Sequence, residues 1–300
     1  MTNKKIGYLL IFLAGILWGT IGIFVKQLER EGVAPAESTF LRMSLAFLIL
    51  LAVCVMKGGW KSLIIDGRAL VHCTLLGIVC QGISNLFYNI AVTLVGVSVS
   101  AVLLNIAPVF TLLFSAFFFS EKITGKKFVA IVINVIGCIF TATNGHLDFS
   151  QISIPGILYG IGSGITYGMM AIFGRMARGH ADPFVMSMYS YLTGSVFLFL
   201  CTCFSQQPFI ISGAVMTWGF LFALIPTAVA YVLYFMGLQM ITEPSKAPVL
   251  SSVMTVVAAL IGILLYKEKI ELIGIAGIIL VLSSIMLINV TAVGDGSSGC

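Results

Sequence analysis

Ten apolar runs, each close to the length of a membrane-crossing helix and joined by short polar connections, leave this chain few surroundings in which it can fold. They fall near residues 6–25, 39–56, 70–92, 98–119, 127–143, 154–176, 183–204, 214–237, 246–266 and 271–291. About 20 apolar residues in a helix cross the hydrocarbon core of a bilayer. Charged residues make up only 9% of the 300, against 59% hydrophobic, and the mean hydropathy is +1.11. An average soluble protein carries about 25% charged residues, so the apolar faces here look at lipid. The expected fold class is an all-α integral membrane protein of ten transmembrane helices. The first run follows Lys4 and Lys5 as a secretion signal would. It is too long for one and lacks a small-residue cleavage site, so it reads as a retained helix.

Ten crossings return both termini to one side. That side collects eleven of the sixteen Lys and Arg: Lys4, Lys5, Lys57, Lys61, Arg68, Lys122, Lys126, Lys127, Arg175, Arg178 and Lys246. Lys26, Arg30, Arg42, Lys267 and Lys269 fall opposite. Lys and Arg accumulate on the cytoplasmic face, so the expectation is a multi-pass plasma-membrane protein with both termini cytoplasmic. The net charge of +5 is scattered over short loops and points to no nucleic acid. Six of the seven cysteines lie inside apolar runs without metal-ligand spacing. They read as small apolar residues, and neither a metal nor a cofactor is expected.

The chain also resembles itself. "GILWGTIGIFVKQL" (15–28) matches "GITYGMMAIFGRMA" (164–177) at an offset of 149. "NLFYNIAV" (85–92) matches "YVLYFMGL" (231–238) at 146, and "FSEKIT" (119–124) matches "YKEKIE" (266–271) at 147. Three collinear blocks divide the chain into two five-helix units, 1–145 and 150–292, with 293–300 as a flexible C-terminal tail. Five crossings is odd, so the second unit is inverted relative to the first. Inverted repeats are the layout by which many secondary transporters alternate access around a midplane site.

The stretch "GILYGIGSGITYG" places Gly156, Gly160, Gly164 and Gly168 on one stripe of a helix. Gly15 and Gly19 are the equivalents of Gly164 and Gly168 in the first unit. In lipid, small residues let helix backbones approach closely. These six glycines are therefore expected to form helix-packing seams, static or sliding.

Polar residues inside spans are costly and default to candidates for function. Gln81, Asn85 and Asn89 recur every fourth residue along the third span, with Tyr88 beside them. Thr227, Tyr231 and Tyr234 form the equivalent face of the eighth span. Asn105 lies mid-span in the fourth, and Trp18 and Tyr167 are a symmetric aromatic pair beside the glycines. Together they are expected to line a substrate cavity, with interhelical hydrogen bonding as the competing role for each alone. Pro108, Pro226 and Pro248 can leave backbone carbonyls free nearby. Asn134 reads as an isolated structural residue. Arg42, Glu121, Glu243 and Glu268 fall at span ends, and Lys246 reads as a snorkelling loop lysine. On that placement the preferred substrate is neutral, zwitterionic or a delocalised cation.

With "GILWG" in the first span, "APVFTLLFSAFFFSEKIT" closing the fourth, and a duplicated five-helix unit, the chain resembles the drug/metabolite transporter superfamily of EamA type over nearly its whole length. The resemblance implies export or exchange of small metabolites through a cavity lined by helices one, three, four, six, eight and nine. Carried over, it favours Trp18, Asn85, Tyr88, Asn89, Asn105, Tyr167, Tyr231 and Tyr234. Pro108 and Glu121 match its motif, and Glu268 matches the second copy. Thr255 stands there in place of proline, so unequal kinks in the two halves are expected.

An intramembrane enzyme needs a Ser–His pair, paired Asp or a metal. His72, His146 and His180 lie near span ends or in loops, and "IGSG" (161–164) does not complete a nucleophile motif. No enzymatic activity is expected. The expected function is secondary-active export of a small amphipathic metabolite (an amino acid, a related metabolite or a drug) by alternating access. A carrier for a quaternary amine such as choline is the alternative. A channel or a structural membrane protein would also fit ten helices. The expected partners are a small-molecule substrate and the lipid bilayer, with homodimerisation left open.

Overall fold

The structure is a computed structural model that describes residues 2–146, 153–203, 210, 212–267 and 269–294. Among these residues, nine helices are long and apolar enough to cross a membrane. They are α1 (Lys4–Arg30), α2 (Pro35–Gly58), α3 (Gly67–Val97), α4 (Val99–Phe119), α5 (Gly125–Thr143), α6 (Ile154–Met176), α7 (Pro183–Cys201), α8 (Gly213–Met240) and α9 (Lys246–Tyr266). A tenth helix, α10 (Leu272–Gly294), contains the shorter apolar stretch Leu272–Ile288. Glu268 and residues 295–300 of the tail lie outside the described residues.

Local chemistry sets the helix ends. The side chains of Asp66, Thr124, Ser153 and Ser212 each accept a backbone N–H at a helix start. This satisfies donors that lipid cannot. Ser120 and Lys267 take the left-handed conformation just after α4 and α9, at φ of 52° and 54°. They occupy equivalent positions of the two repeats, and a residue in that conformation is a common way to stop a helix.

The helix contacts follow the duplication. α1 packs on α8 and α9, and its counterpart α6 packs on α3 and α4; α2 pairs with α7 and α5 with α10. Exchanging the two halves maps this set of pairs onto itself. The seams between halves are tight at the glycines. A Cβ on Gly15 would sit 2.7 Å from the Ser251 carbonyl oxygen, and one on Gly164 would sit 2.8 Å from that of Leu103. Gly19 faces Val257 and Gly168 faces the Ala107 carbonyl, while Gly156 and Gly160 meet Val95 and Leu103. A further glycine seam, Gly137 against Gly277, joins α5 to α10 and is not among those the sequence pattern marks.

Four helices are irregular in matched places. The α3 segment Leu76–Ile83 and the α8 segment Ala223–Val229 are π-helical. α4 is interrupted at Asn105 and Ile106, and α9 at Ser252, which is the position equivalent to Asn105. Both halves are thus interrupted at the same place, although only the first carries a proline at the position of Thr255. α9 breaks without a proline at Thr255, and Pro248 instead lies four residues before its break.

Candidate functional site

The irregular segments converge on the middle of the bundle. Trp18 of α1 is 4% exposed. Its ring lies 4.8 Å from that of Tyr231 and 5.1 Å from that of Tyr234, both on α8. Tyr191 of α7 stands 5.4 Å from Tyr231 on another side. The Tyr231 hydroxyl donates to Gln81 Oε1 at 3.3 Å. Asn85 Nδ2 donates to the Gln81 carbonyl at 2.6 Å. Trp18, Gln81 and Asn85 belong to the first half of the chain, and Tyr191, Tyr231 and Tyr234 to the second. The cluster thus straddles the repeat interface.

The π segments explain how the polar groups are held. A π turn leaves carbonyls without their usual helical donor, and such turns concentrate at functional sites. In α8, Pro226 has no N–H to offer the Phe222 carbonyl; the Thr227 hydroxyl takes it instead at 2.8 Å. In α3, the Asn85 amide serves the Gln81 carbonyl in the same way. Thr227 therefore acts on backbone, and the Tyr191 hydroxyl donates to its carbonyl at 3.3 Å.

Tyr167 of α6 packs against the same core and also lines a small cavity between the breaks of α4 and α9. Asn105, Pro108, Asn134, Pro248 and Ser252 share that cavity. Asn134 is not isolated, as the sequence alone implies. It is buried and donates to Ser252 at 2.6 Å and to Ser284 at 2.9 Å. Its partners are 118 and 150 residues away, beyond any local pattern. Tyr88 and Asn89 are half-buried on α3. Among the described residues neither makes a hydrogen bond or ring contact with the aromatic cluster. The structure thus brings together Trp18, Gln81, Asn85, Tyr231 and Tyr234, places Asn105 with Tyr167, and leaves Tyr88 and Asn89 beside them.

Two expectations about charge are corrected. Arg42 is no span-end residue: it lies within α2, 7% exposed, and reaches Asn85 Oδ1 at 3.4 Å. Lys246 does not snorkel: it is 1% exposed and pairs with Glu243. Glu243 also pairs with Lys127, which bridges to Glu121 at 3.0 Å. Ser115 and Ser245 donate to Glu121. This network of two acids and two lysines joins the α4–α5 turn of the first half to the α8–α9 turn of the second. In so buried a place each charge needs its partner.

Burial pushes the Glu243 carboxyl up, but hydrogen bonds from Lys127 and Lys246 more than offset this and hold it below the ordinary carboxylate value of 4.5. A group depressed on folding contributes stability above its unfolded pKa and loses it as pH falls through the folded one. The melting temperature of the wild type is therefore expected to exceed that of Glu243→Gln at pH 7. The gap should close as pH drops below about 4.5. An unchanged gap across an acid titration in detergent would show that the ionised pair contributes nothing.

The fold and the site together define a multi-pass membrane protein made of two repeats, with a polar and aromatic centre between them. The model of the EamA-like transporter family matches the chain twice, over residues 5–143 and 154–290. The chain belongs to that family, within the drug/metabolite transporter superfamily, and is a membrane transporter. An "Uncharacterized transporter" of Archaeoglobus fulgidus is 26% identical over 94% of this chain and 96% of its own length. The "Uncharacterized inner membrane transporter YicL" of Salmonella typhimurium is 24% identical over 96% of this chain and 97% of its own. A solved crystal structure superposes with a TM-score of 0.81 at 17% identity, covering 95% of this chain and 98% of that one, and shares the fold.

Proposed function

We propose that the protein is a secondary-active exporter of a small amphipathic metabolite, of the amino-acid or drug type, in the plasma membrane with both termini cytoplasmic. The units 1–145 and 150–292 would exchange access by sliding along the glycine seams. Trp18, Gln81, Asn85, Tyr167, Tyr231 and Tyr234 would form the substrate contact, with Tyr88, Asn89, Asn105 and Thr227 around it. The observation that carries this reading is the Trp18–Tyr231–Gln81 cluster. It is assembled from both halves at the level of the matched π segments, so relative motion of the halves must remodel it. The buried guanidinium of Arg42 near the rings speaks against a quaternary amine as substrate.

Counterflow in proteoliposomes tests the reading. Preloaded L-leucine or L-phenylalanine should accelerate uptake of the labelled compound, with saturation. Trp18→Ala and Tyr234→Ala should each lower the initial rate about tenfold or more. Both side chains are buried, and truncating a buried Trp to Ala costs about 3–5 kcal/mol of stability. Trp18→Phe and Tyr234→Phe are the gentler companions that separate lost contact from lost fold. Wild-type kinetics in both alanine variants would sink the proposed cavity.

A further inference from the structure

We infer that Arg42 anchors a carboxylate on the transported substrate, which makes that substrate an apolar amino acid or a related monocarboxylate. This deepens the transporter reading above and rests on it. Arg42 stands seven residues past the start of α2, roughly 10 Å along the helix axis. At 7% exposure it is a cation withdrawn from water within a membrane span. Such charges are expensive and pair with acids, with backbone or with a ligand.

Among the described residues the protein supplies Arg42 only neutral side-chain partners. Its guanidinium reaches Asn85 Oδ1 through Nη2 at a long 3.4 Å and lies beside the Tyr231 hydroxyl, while Nη1 is buried with no partner. The guanidinium rests 5.4 Å from the Phe222 ring, a weak cation–π contact. Among the described residues no carboxylate pairs with Arg42. Glu37, the acid on the same helix, instead accepts the backbone N–H of Ile210 at 2.7 Å.

A second donor in the cluster is also idle. Trp18 Nε1 is buried without a partner. A continuous set of contacts runs from Arg42 through Asn85, Gln81 and Tyr231 to Trp18. Its two ends carry unused N–H donors and its middle presents aromatic faces. A guanidinium offers parallel N–H groups that match the two oxygens of a carboxylate. A ligand with a carboxylate at the Arg42 end and an apolar body over the rings would fill what the protein leaves unsatisfied.

The test uses matched probes that differ at one group: L-phenylalanine against L-phenylalaninamide, and L-leucine against L-leucinamide. Thermal stabilisation and counterflow are read on the full chain. The wild type should bind the acids and discriminate against the amides. Arg42→Gln should weaken the acids about 10- to 100-fold while leaving the weak amide binding unchanged, and Arg42→Lys should recover part of the loss. A merely structural Arg42 would move acids and amides together. If Arg42→Gln does not fold, the acid-to-amide ratio of the wild type still decides. Equal response to acid and amide, or no response to either acid while another solute shows saturable counterflow, overturns the carboxylate anchor and leaves the transporter reading standing. Absence of saturable counterflow for every solute overturns both.

Discussion

Replacing Lys127 with methionine is expected to lower the stability of the protein by about 3–5 kcal/mol, the cost of removing one partner from a buried ion pair. Lys127 and Glu121 are 2% and 6% exposed, so water cannot take over the vacated charge at Glu121. Glu243 is 22% exposed and keeps Lys246, so its share of the loss is smaller. The cost is a matter of imbalance more than of lost attraction: two carboxylates would face one lysine in a low-dielectric place. Lys127→Met combined with Glu121→Gln should therefore be more stable than Lys127→Met alone, since the double change restores neutrality. Melting curves of the two singles and the double form a mutant cycle; strictly additive losses would show that Lys127 and Glu121 do not act as a pair. The network also ties the first half, through Glu121 and Lys127, to the second, through Glu243, Ser245 and Lys246. In the cycle proposed above it must open whenever this end admits solute. Ala247 is fully buried next to Lys246. A cysteine placed there should react faster with a membrane-impermeant maleimide in the Lys127→Met background.

Much of the architecture is legible in the amino-acid sequence. Span length and the collinear blocks give helix number and duplication, because lipid imposes length and hydropathy on every crossing. The repeat offset relates Trp18 to Tyr167 and the polar face of α3 to that of α8, but it does not give the contact of Trp18 with Tyr231 and Tyr234. What stays hidden depends on neighbours distant in sequence. The π segments of α3 and α8 have no shared residue signature: one holds Pro226, while the matching Cys80 does not force a turn. Arg42 and Lys246 look like span-edge residues because a linear window cannot tell whether a helix end is wrapped by other helices or faces the headgroups. Lys127 and Glu243 are 116 residues apart, so nothing local marks their pairing. Asn134 looks isolated for the same reason.

Valine at Gly15 or Gly164 is expected to abolish transport and to destabilise the protein by about 1–3 kcal/mol or more, the range for overpacking a filled interior. Each added Cβ meets backbone that cannot rotate away: the Ser251 carbonyl at 2.7 Å, with the Val253 side chain equally near, and the Leu103 carbonyl at 2.8 Å. Relief requires the helices themselves to separate, α1 from α9 or α6 from α4. In lipid no gain in hydrophobic burial compensates for that separation, since association there relies on close packing. Gly22 is the internal comparison. It lies on α1 three residues after Gly19, and a Cβ there meets nothing within 4 Å. Gly22→Ala should thus be neutral or slightly stabilising, because alanine is about 1 kcal/mol better than glycine in a helix interior. Melting temperatures in detergent separate the three, and counterflow reports whether the seams matter to the cycle. Equivalent effects at Gly15 and Gly164 would assign the two seams one shared role in the duplicated fold. A Gly15 or Gly164 variant that retained wild-type melting and wild-type rate would mean that the close approach there contributes to neither packing nor motion.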